Sequence, residues 1–181
     1  MAPTRECGGC TLCCTVLPIR SDGLEKQSGT HCPHCTENVG CTIYPKRPSA
    51  CRAFLCGWRE LPFIPDDMRP DRCGILVVAD PNDIPPGYRK MPGVKFVVTG
   101  GKETLANESF LECLAGLVHA RAPAFLAVPG PPGFFFAKAF LNLRLADAVE
   151  RQDGAAMIEA LTPIMAELAA GPFEPVDFSK R

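Results

Sequence analysis

Most of the cysteines lie near the start of the chain, at spacings suited to binding a metal ion. Nine of the eleven are found within residues 1–56. The first block has the pattern C-x2-C-x2-C-C and comprises Cys7, Cys10, Cys13 and Cys14. Such spacing lets several thiolates on one tight turn converge on one ion, and the glycines at positions 8 and 9 permit the backbone conformations of that turn. We therefore interpret this block as a metal-binding turn.

A second block of cysteines follows, and it is also dense. It begins with His31-Cys32-Pro33-His34-Cys35 and continues with Cys41, Cys51 and Cys56. Disulfides or inert buried thiols explain this density poorly, because Cys13 and Cys14 are adjacent and no secretory signal precedes them. The two histidines are weaker ligand candidates, since exposed loop histidines are common. The remaining thiols are assigned outside the cluster: Cys113 as a packed thiol on a helix and Cys73 as a spare ligand at most.

The two blocks together resemble the YkgJ-type cysteine-cluster family, described as a zinc- or iron-chelating domain. The resemblance rests on C-x2-C-x2-C-C and on the downstream motif G-C-x-I-Y-x-x-R-P-x-x-C-R-x-F, which match in full and in order over roughly residues 7 to 56. It implies metal chelation by Cys7, Cys10, Cys13, Cys14, Cys41 and Cys51, with at least one cysteine of the intervening block. It implies little about a biochemical role.

Two kinds of metal centre fit these cysteines. A closed zinc site takes four ligands, so nine thiols suffice for two Zn²⁺ ions with one thiol to spare. A [4Fe–4S] cluster is the alternative, because Cys7, Cys10 and Cys13 have ferredoxin-like spacing and Cys32, which precedes a proline, can supply a remote fourth ligand. Soft thiolates suit both metals. Zinc is the preferred cofactor, since a single cluster leaves five thiols unused.

Either centre is an anion, and basic residues stand beside the candidate ligands. Lys46, Arg47 and Arg52 are close in sequence to Cys41 and Cys51, and they can compensate the negative charge. We expect Arg47 and Arg52 to orient the ligands, with Arg52 donating to a cluster sulfur or a nearby carbonyl. Tyr44 and Phe54 are expected to cover the site, and Pro48 to begin a short helix that carries Cys51.

Composition excludes several classes of protein. The chain has 181 residues, of which 46% are hydrophobic and 22% charged, with a formal net charge of -1. This composition is typical of a globular protein and argues against disordered and fibrous architectures. No apolar run is long enough to cross a membrane, and the start lacks the features of a signal peptide, so we expect a cytoplasmic protein. Residues 1–73 contain nine Lys and Arg against eight Asp and Glu; nucleic acid is therefore not an expected partner.

The chain divides into two parts with different patterns. Residues 1–73 form a coil-rich cysteine segment with too few aliphatic residues to fold without a metal. Residues 74–181 predict an α+β unit with strands at 74–80, 94–99 and 124–128, helices over 104–121 and 141–151, and a third helix after Asp153, while 134–140 fits either a strand or a helix. Pro163 is expected to kink or split the third helix. The fold class is therefore α+β, with the cysteine segment packed on a small sheet of about three strands and with both parts in one cooperative domain.

The function expected from the sequence is metal binding through clustered thiolates, without catalysis. The alternative is an iron–sulfur enzyme that transfers electrons or modifies a group. A related cysteine motif occurs in a flagellin lysine methylase, although no cosubstrate loop of this chain matches. A protein partner is left open.

Overall fold

The computed structural model describes residues 5–88 and 90–179, and its first half consists of short elements joined by turns. Two small antiparallel hairpins follow the first short helix and precede several others, and Cys13, Cys14, Cys35, Cys41 and Cys51 lie within these elements. In chain order the elements are helix α1 (Leu12–Val16), strands β1 (Ile19–Ser21), β2 (Leu24–Lys26), β3 (Cys35–Thr36) and β4 (Gly40–Cys41), and helices α2 (Ser49–Ala53), α3 (Gly57–Glu60) and α4 (Pro70–Cys73).

The second half is built on a mixed four-stranded sheet. Its strands are β5 (Ile75–Asp80), β6 (Gly93–Val98), β7 (Ala124–Val128) and β8 (Ala137–Phe140), and they lie side by side in that order. The β6 and β7 strands are parallel, whereas the two outer pairs are antiparallel. Helix α5 (Glu108–His119) forms the crossover between the parallel strands, as parallel pairing requires. The prediction of an α+β fold is confirmed.

The helices cover one face of this sheet. Helix α5, with α6 (Asn142–Glu150) and α7 (Gly154–Ala170), packs against side chains that alternate along the strands, such as Ile75 and Val77 of β5. The helices begin where the sequence provides caps: Asn107 accepts a hydrogen bond from Phe110 N and Asp153 from Ala156 N. This layer forms the larger hydrophobic core.

The cysteine half covers part of the opposite face. Val16 of α1 is buried against Leu76, Val78, Val97 and Ala127, which point away from the helices because side chains alternate across a strand. The partly buried side chains of Leu12, Cys13, Leu17, Phe54, Cys56 and Phe136 pack around them. The sheet therefore positions the cysteine turn and the segment that follows α2.

Three details of the second half differ from the sequence-based prediction. The segment at 134–140 contributes a fourth strand over 137–140, so the sheet is larger than the three strands expected. The first long helix begins at Glu108, and Lys102–Ala106 forms a separate 3-10 helix. Pro163 was expected to kink or split the third helix, and α7 continues as one helix through Pro163, so it does not split there. Burial of Met157, Leu161 and Ile164 holds the helix on the core at both sides of the proline.

Candidate metal centre

The first cysteine block folds as a tight turn followed by helix α1. Cys10 N donates a 3.0 Å hydrogen bond to Cys7 O, which closes the turn, and α1 then carries Cys13 and Cys14 in its first turn. The turn packs tightly on the β3–β4 hairpin: a Cβ on Gly9 would lie 2.8 Å from Asn38 O. A side chain there would push the turn away from the hairpin, so glycine is required for this approach.

The second block brings its cysteines to the same place through backbone hydrogen bonds. Cys32 N donates to Cys14 O at 3.1 Å, which ties the second block to α1. Cys35 and Cys41 are directly opposite each other in the β3–β4 ladder, and opposite residues project on the same side of a sheet. The hairpin thus presents two thiols toward the helix that carries Cys14.

The last two ligand candidates lie on the short helices after the hairpins. Pro48 is the N-cap of α2, which carries Cys51, as the sequence predicted. Cys56 is the N-cap of α3 and packs against both hydrophobic clusters. Helix α3 packs on strand β5, so Cys56 is held by the core, whereas α2 with Cys51 packs on strand β1 of the first hairpin.

Eight of the nine candidate cysteines line one cavity of about 280 Å³. Cys35 is the ninth; it is buried and its thiol interacts with that of Cys14. Between the thiols the walls are largely apolar, with side chains such as Leu17, Ile19, Ile43 and Phe54. The eight cysteines that line the cavity are Cys7, Cys10, Cys13, Cys14, Cys32, Cys41, Cys51 and Cys56.

The thiols fall into two groups by their mutual electrostatic interactions. We call Cys7, Cys10 and Cys56 the Cys7 group, because the thiols of Cys7 and Cys10 both act on Cys56. The Cys14 group contains the thiols that act on Cys35 and Cys51, and its members are Cys14, Cys32, Cys35, Cys41 and Cys51. Cys13 interacts with Cys14 and lies between the two groups in sequence.

Burial and crowding favour the protonated form of five of these thiols, those of Cys10, Cys14, Cys35, Cys51 and Cys56. Burial raises the pKa of Cys35 to about 12, and the neighbouring Cys14 adds to the shift. The pKa of Cys14 is raised by its hydrogen bond with Cys13 and by burial, and burial likewise raises the pKa of Cys10, Cys51 and Cys56. A divalent cation reverses this effect, since a coordinating thiol is deprotonated.

The thiols surround the cavity but do not form a preassembled site. Within residues 5–88 and 90–179, no three Cys, His, Asp or Glu side chains converge on a point where they could hold an ion. The donor set suits a soft metal, because eight cysteine sulfurs and the His34 imidazole line the cavity and no carboxylate does. Binding an ion would therefore require rotation of these side chains toward a common centre.

A buried ammonium group lies close to the Cys14 group, and the sequence analysis missed it. Lys26 is 4% exposed, and its Nζ donates to the carbonyls of Thr15, Gln27 and Thr30 at 3.1, 2.9 and 2.8 Å. Burial lowers the pKa of Lys26, while the charges of Cys32, Cys14, Cys13 and Cys51 oppose that change. The three hydrogen bonds fix a positive charge beside the thiols.

Arg59 provides a second cation that the sequence analysis did not identify. Its Nη1 donates to Cys7 Sγ at 3.8 Å and to the Tyr44 hydroxyl at 3.3 Å, while its Nε donates to Arg5 O at 2.6 Å. Arg59 follows Cys56 by three residues on the same short helix. Residues three apart on a helix lie on the same face, so the spacing of Arg59 from Cys56 could have indicated from the sequence that Arg59 lies near the thiols.

Of the residues predicted to orient the ligands, Arg47 and Tyr44 line the cavity, whereas Arg52 lines an adjoining groove. Arg47 donates to Cys51 O at 3.1 Å and stacks on the Tyr44 ring, with its Cζ 3.9 Å from the ring centroid. Arg52 donates to the Arg47 carbonyl at 2.6 Å. The predicted acceptors were a cluster sulfur or a nearby carbonyl, and the contact observed is with a carbonyl. Tyr44 and Phe54 both line the cavity.

The weaker ligand candidates are placed as follows. Both ring nitrogens of His31 already have partners, Thr15 Oγ1 at 3.4 Å and Cys35 O at 2.8 Å. His34 lines the cavity. Cys113 packs in the larger core, which confirms its assignment, and Cys73 lies near Ile75 and is not among the residues lining the cavity.

Comparisons with known proteins identify no relative of this chain. No family model matches it, and neither the curated proteins nor the solved structures give a match. The resemblance of the two cysteine motifs to the YkgJ-type family stays a prediction. In the part of the chain that the structure describes, no helix has both the length and the apolar character needed to span a membrane.

Proposed function

We propose that the protein binds zinc through the thiolates that line the cavity, and that the metal orders the cysteine half of the chain. The observation that carries the proposal is the convergence of two separate cysteine blocks on one cavity. These blocks are linked by backbone hydrogen bonds and by close glycine contacts rather than by a large apolar core. The motif resemblance implies the same chemistry.

The charges around the cavity support an anionic metal centre. Arg20, Arg47 and Arg59 line it, no carboxylate does, and Lys26 is buried next to the Cys14 group. A buried cation is costly unless an anion compensates it. Four thiolates around Zn²⁺ carry two formal negative charges, so zinc binding to the Cys14 group supplies that compensation.

An iron–sulfur centre is the second candidate, and one observation favours it. Cys7, Cys10 and Cys13 are on one turn and helix, and they share their cavity with Cys32 and Cys56. Three closely spaced cysteines with a remote fourth are a common arrangement around a [4Fe–4S] cluster. In that case the protein has a redox or group-modifying role.

Elemental analysis of protein purified without oxygen tests the proposal. Colourless protein with about two zinc ions per chain is expected from the ligand count. A brown protein that absorbs near roughly 400 nm and contains iron would favour the second candidate. The double variant Cys14→Ser/Cys51→Ser, which leaves only three thiols in the Cys14 group, should lose zinc, whereas Cys113→Ala, which removes a thiol of the helical core, should keep it. Metal-free wild-type protein, or equal zinc in both variants, would contradict the proposal.

A further inference from the structure

We propose that Cys35 and Cys41 form a disulfide when a hydroperoxide oxidises the zinc-free protein, and that this bond lowers the number of zinc ions that the chain can bind. The disulfide would regulate the site described above, so its effect on zinc rests on the proposed function. Three observations carry the inference: the register of the β3–β4 hairpin, its hydrogen bonds and the different exposure of its two thiols.

The register of the hairpin holds the two cysteines close together. Cys35 of β3 and Cys41 of β4 are directly opposite each other in an antiparallel ladder. Thr42 N donates to His34 O at 2.9 Å, so the adjacent pair of this ladder is hydrogen-bonded. Hydrogen-bonded and non-hydrogen-bonded pairs alternate, and the two cysteines therefore form a non-hydrogen-bonded pair, in which the Cα atoms are about 4.5 Å apart.

This geometry suits a disulfide. A disulfide joins Cα atoms that are about 4.4–6.8 Å apart, and opposite residues of a ladder project their side chains on the same side of the sheet. Both cysteines are free thiols in the structure. A bond between them therefore requires rotation of the two side chains and no movement of the backbone.

Two other pairings are less favourable. Cys13 and Cys14 are consecutive residues of helix α1, and consecutive Cα atoms are about 3.8 Å apart, too close for an unstrained disulfide. The thiol of Cys14 also forms a hydrogen bond with that of Cys35. A bond between these two would close a loop over residues 15–34, whereas the hairpin bond closes only residues 36–40, which costs less chain entropy.

The two thiols of the hairpin differ in their access to a small oxidant. Cys41 is half-buried and lines the cavity. Cys35 is 8% exposed and is not among the residues that line the cavity. An accessible cysteine beside a second, resolving cysteine is the usual arrangement of a redox-sensing pair. A hydroperoxide that enters the cavity should therefore react first with Cys41.

The oxidation proceeds in two balanced steps. The Cys41 sulfur attacks one oxygen of hydrogen peroxide, the O–O bond breaks, and a sulfenic acid and one water molecule form. The Cys35 sulfur then attacks the sulfenic sulfur, the S–O bond breaks, and the hydroxide that leaves takes the Cys35 proton as a second water molecule. The two thiols together lose two electrons, and the peroxide gains them.

The disulfide leaves too few thiols for two closed zinc sites. Nine cysteines lie in the two blocks, and two tetrathiolate sites need eight of them. Because a thiolate and not a disulfide sulfur is the metal ligand, seven candidates remain after oxidation. Zinc content should therefore fall from about two ions per chain to about one.

Peptide mapping of the full-length, zinc-free protein after treatment with one equivalent of hydrogen peroxide tests the inference. Free thiols are blocked with iodoacetamide, and the protein is cleaved with trypsin and a glutamate-specific protease. Glu37 lies between the two cysteines, so their disulfide links two separate peptides. Fragmentation of the linked peptides distinguishes Cys35 from Cys32, which lies on the same peptide. The bond between Cys35 and Cys41 should be the most abundant disulfide.

Two single variants check the assignment. Cys41→Ser should lose the linked peptides and leave Cys35 free to react with iodoacetamide. Cys51→Ser, which also removes a cavity thiol, is the matched control and should keep the link. A predominant bond from Cys35 to Cys14 or Cys32, or no disulfide at all, would overturn the inference. The wild-type map gives this answer even where a variant fails to fold.

Zinc content separates this inference from the proposed function. Oxidised wild-type protein should bind about one zinc ion and should regain the second after reduction with dithiothreitol. Cross-linked protein that binds as much zinc as reduced protein would overturn the regulation and leave zinc binding intact. Reduced protein that binds no zinc would overturn the proposed function, while the peptide map would still decide whether the hairpin forms its disulfide.

Discussion

At the residue scale, the ammonium group of Lys26 would favour the negatively charged centre that we propose. All three of its N–H donors are used by the carbonyls of Thr15, Gln27 and Thr30. It therefore acts on the thiols through its charge and not through hydrogen bonds to sulfur. A charge buried in this way should stabilise thiolates over thiols in the Cys14 group.

Replacement of Lys26 tests this role. Lys26→Met should lower zinc affinity by about tenfold or more, because a full positive charge near the thiolates is lost. The free energy of unfolding should also fall by about 1–3 kcal/mol, since three buried carbonyls lose their donor. Zinc affinity is measured by competition with a chromophoric chelator, and stability by urea denaturation.

The matched control is Lys46→Met, an exposed lysine in a groove that adjoins the cavity. It should leave zinc affinity within about twofold of wild type, as expected for an exposed charge that is screened by solvent. Equal affinities for the two variants would show that the charge of Lys26 does not act on the metal.

Residue spacing predicted the cysteines and Arg47, but not the cations Lys26 and Arg59. The CxxC patterns are local, so Cys7, Cys10, Cys32 and Cys35 were recognisable without a structure. Lys26 approaches Thr15 through a hairpin, a contact that depends on the β1–β2 register. A local pattern contains no information about such tertiary contacts, which is why the buried lysine was missed.

At the level of elements, a buried carboxylate connects three strands of the four-stranded sheet, in addition to the backbone hydrogen bonds between neighbouring strands. Asp80, at the end of β5, is 2% exposed and accepts hydrogen bonds from Lys95 of β6 at 2.8 Å and Lys138 of β8 at 2.9 Å. Burial acts to raise the pKa of Asp80, but the two lysines and Asn82 N outweigh it, so the pKa is lowered. The ionised carboxylate therefore stabilises the fold.

This arrangement predicts a pH dependence. Because the pKa of Asp80 is lower in the folded than in the unfolded state, its contribution is complete above the unfolded value of about 4 and is lost as the pH falls through the folded value. Asp80→Asn should cost about 3 kcal/mol at pH 7, since the partly buried Lys95 loses its carboxylate partner and Lys138 keeps only the exposed Asp83. The difference from wild type should shrink near pH 3.

Urea denaturation at both pH values measures the effect, with Asp147→Asn on the exposed face of α6 as the control. Expressing the result as a difference between variant and wild type removes the effect of acid on metal binding, which both proteins share. A difference that is as large at pH 3 as at pH 7 would contradict the assigned role of the Asp80 carboxylate.

The long elements were predictable because their patterns are periodic over several turns. Helix α5 has an apolar stripe that includes Phe110, Leu114 and Leu117, all of which are buried. The sequence did not decide whether the segment containing β8 is a strand or a helix. In the structure its four residues are all partly exposed, with no alternation of burial. Its strand conformation is set by pairing with β7, an interaction that propensity alone does not specify.

At the scale of the whole molecule, the two faces of one sheet are covered by different means. Three helices with a continuous apolar core cover one face, whereas the other carries a smaller cluster around Val16 and Leu76. The segment above that cluster has short elements and many turns, and turns bury little apolar surface. The proposed metal–thiolate bonds would add to the backbone hydrogen bonds that order this segment.

Amide hydrogen exchange with and without zinc tests this account most directly. Under reducing conditions, removal of zinc with a chelator should abolish the protection of amides within residues 7–56, while amides of β5, β6 and α5 stay protected. Zinc should restore the protection. Equal protection of residues 7–56 in the zinc-bound and zinc-free proteins would contradict the claim that bound metal orders the cysteine half.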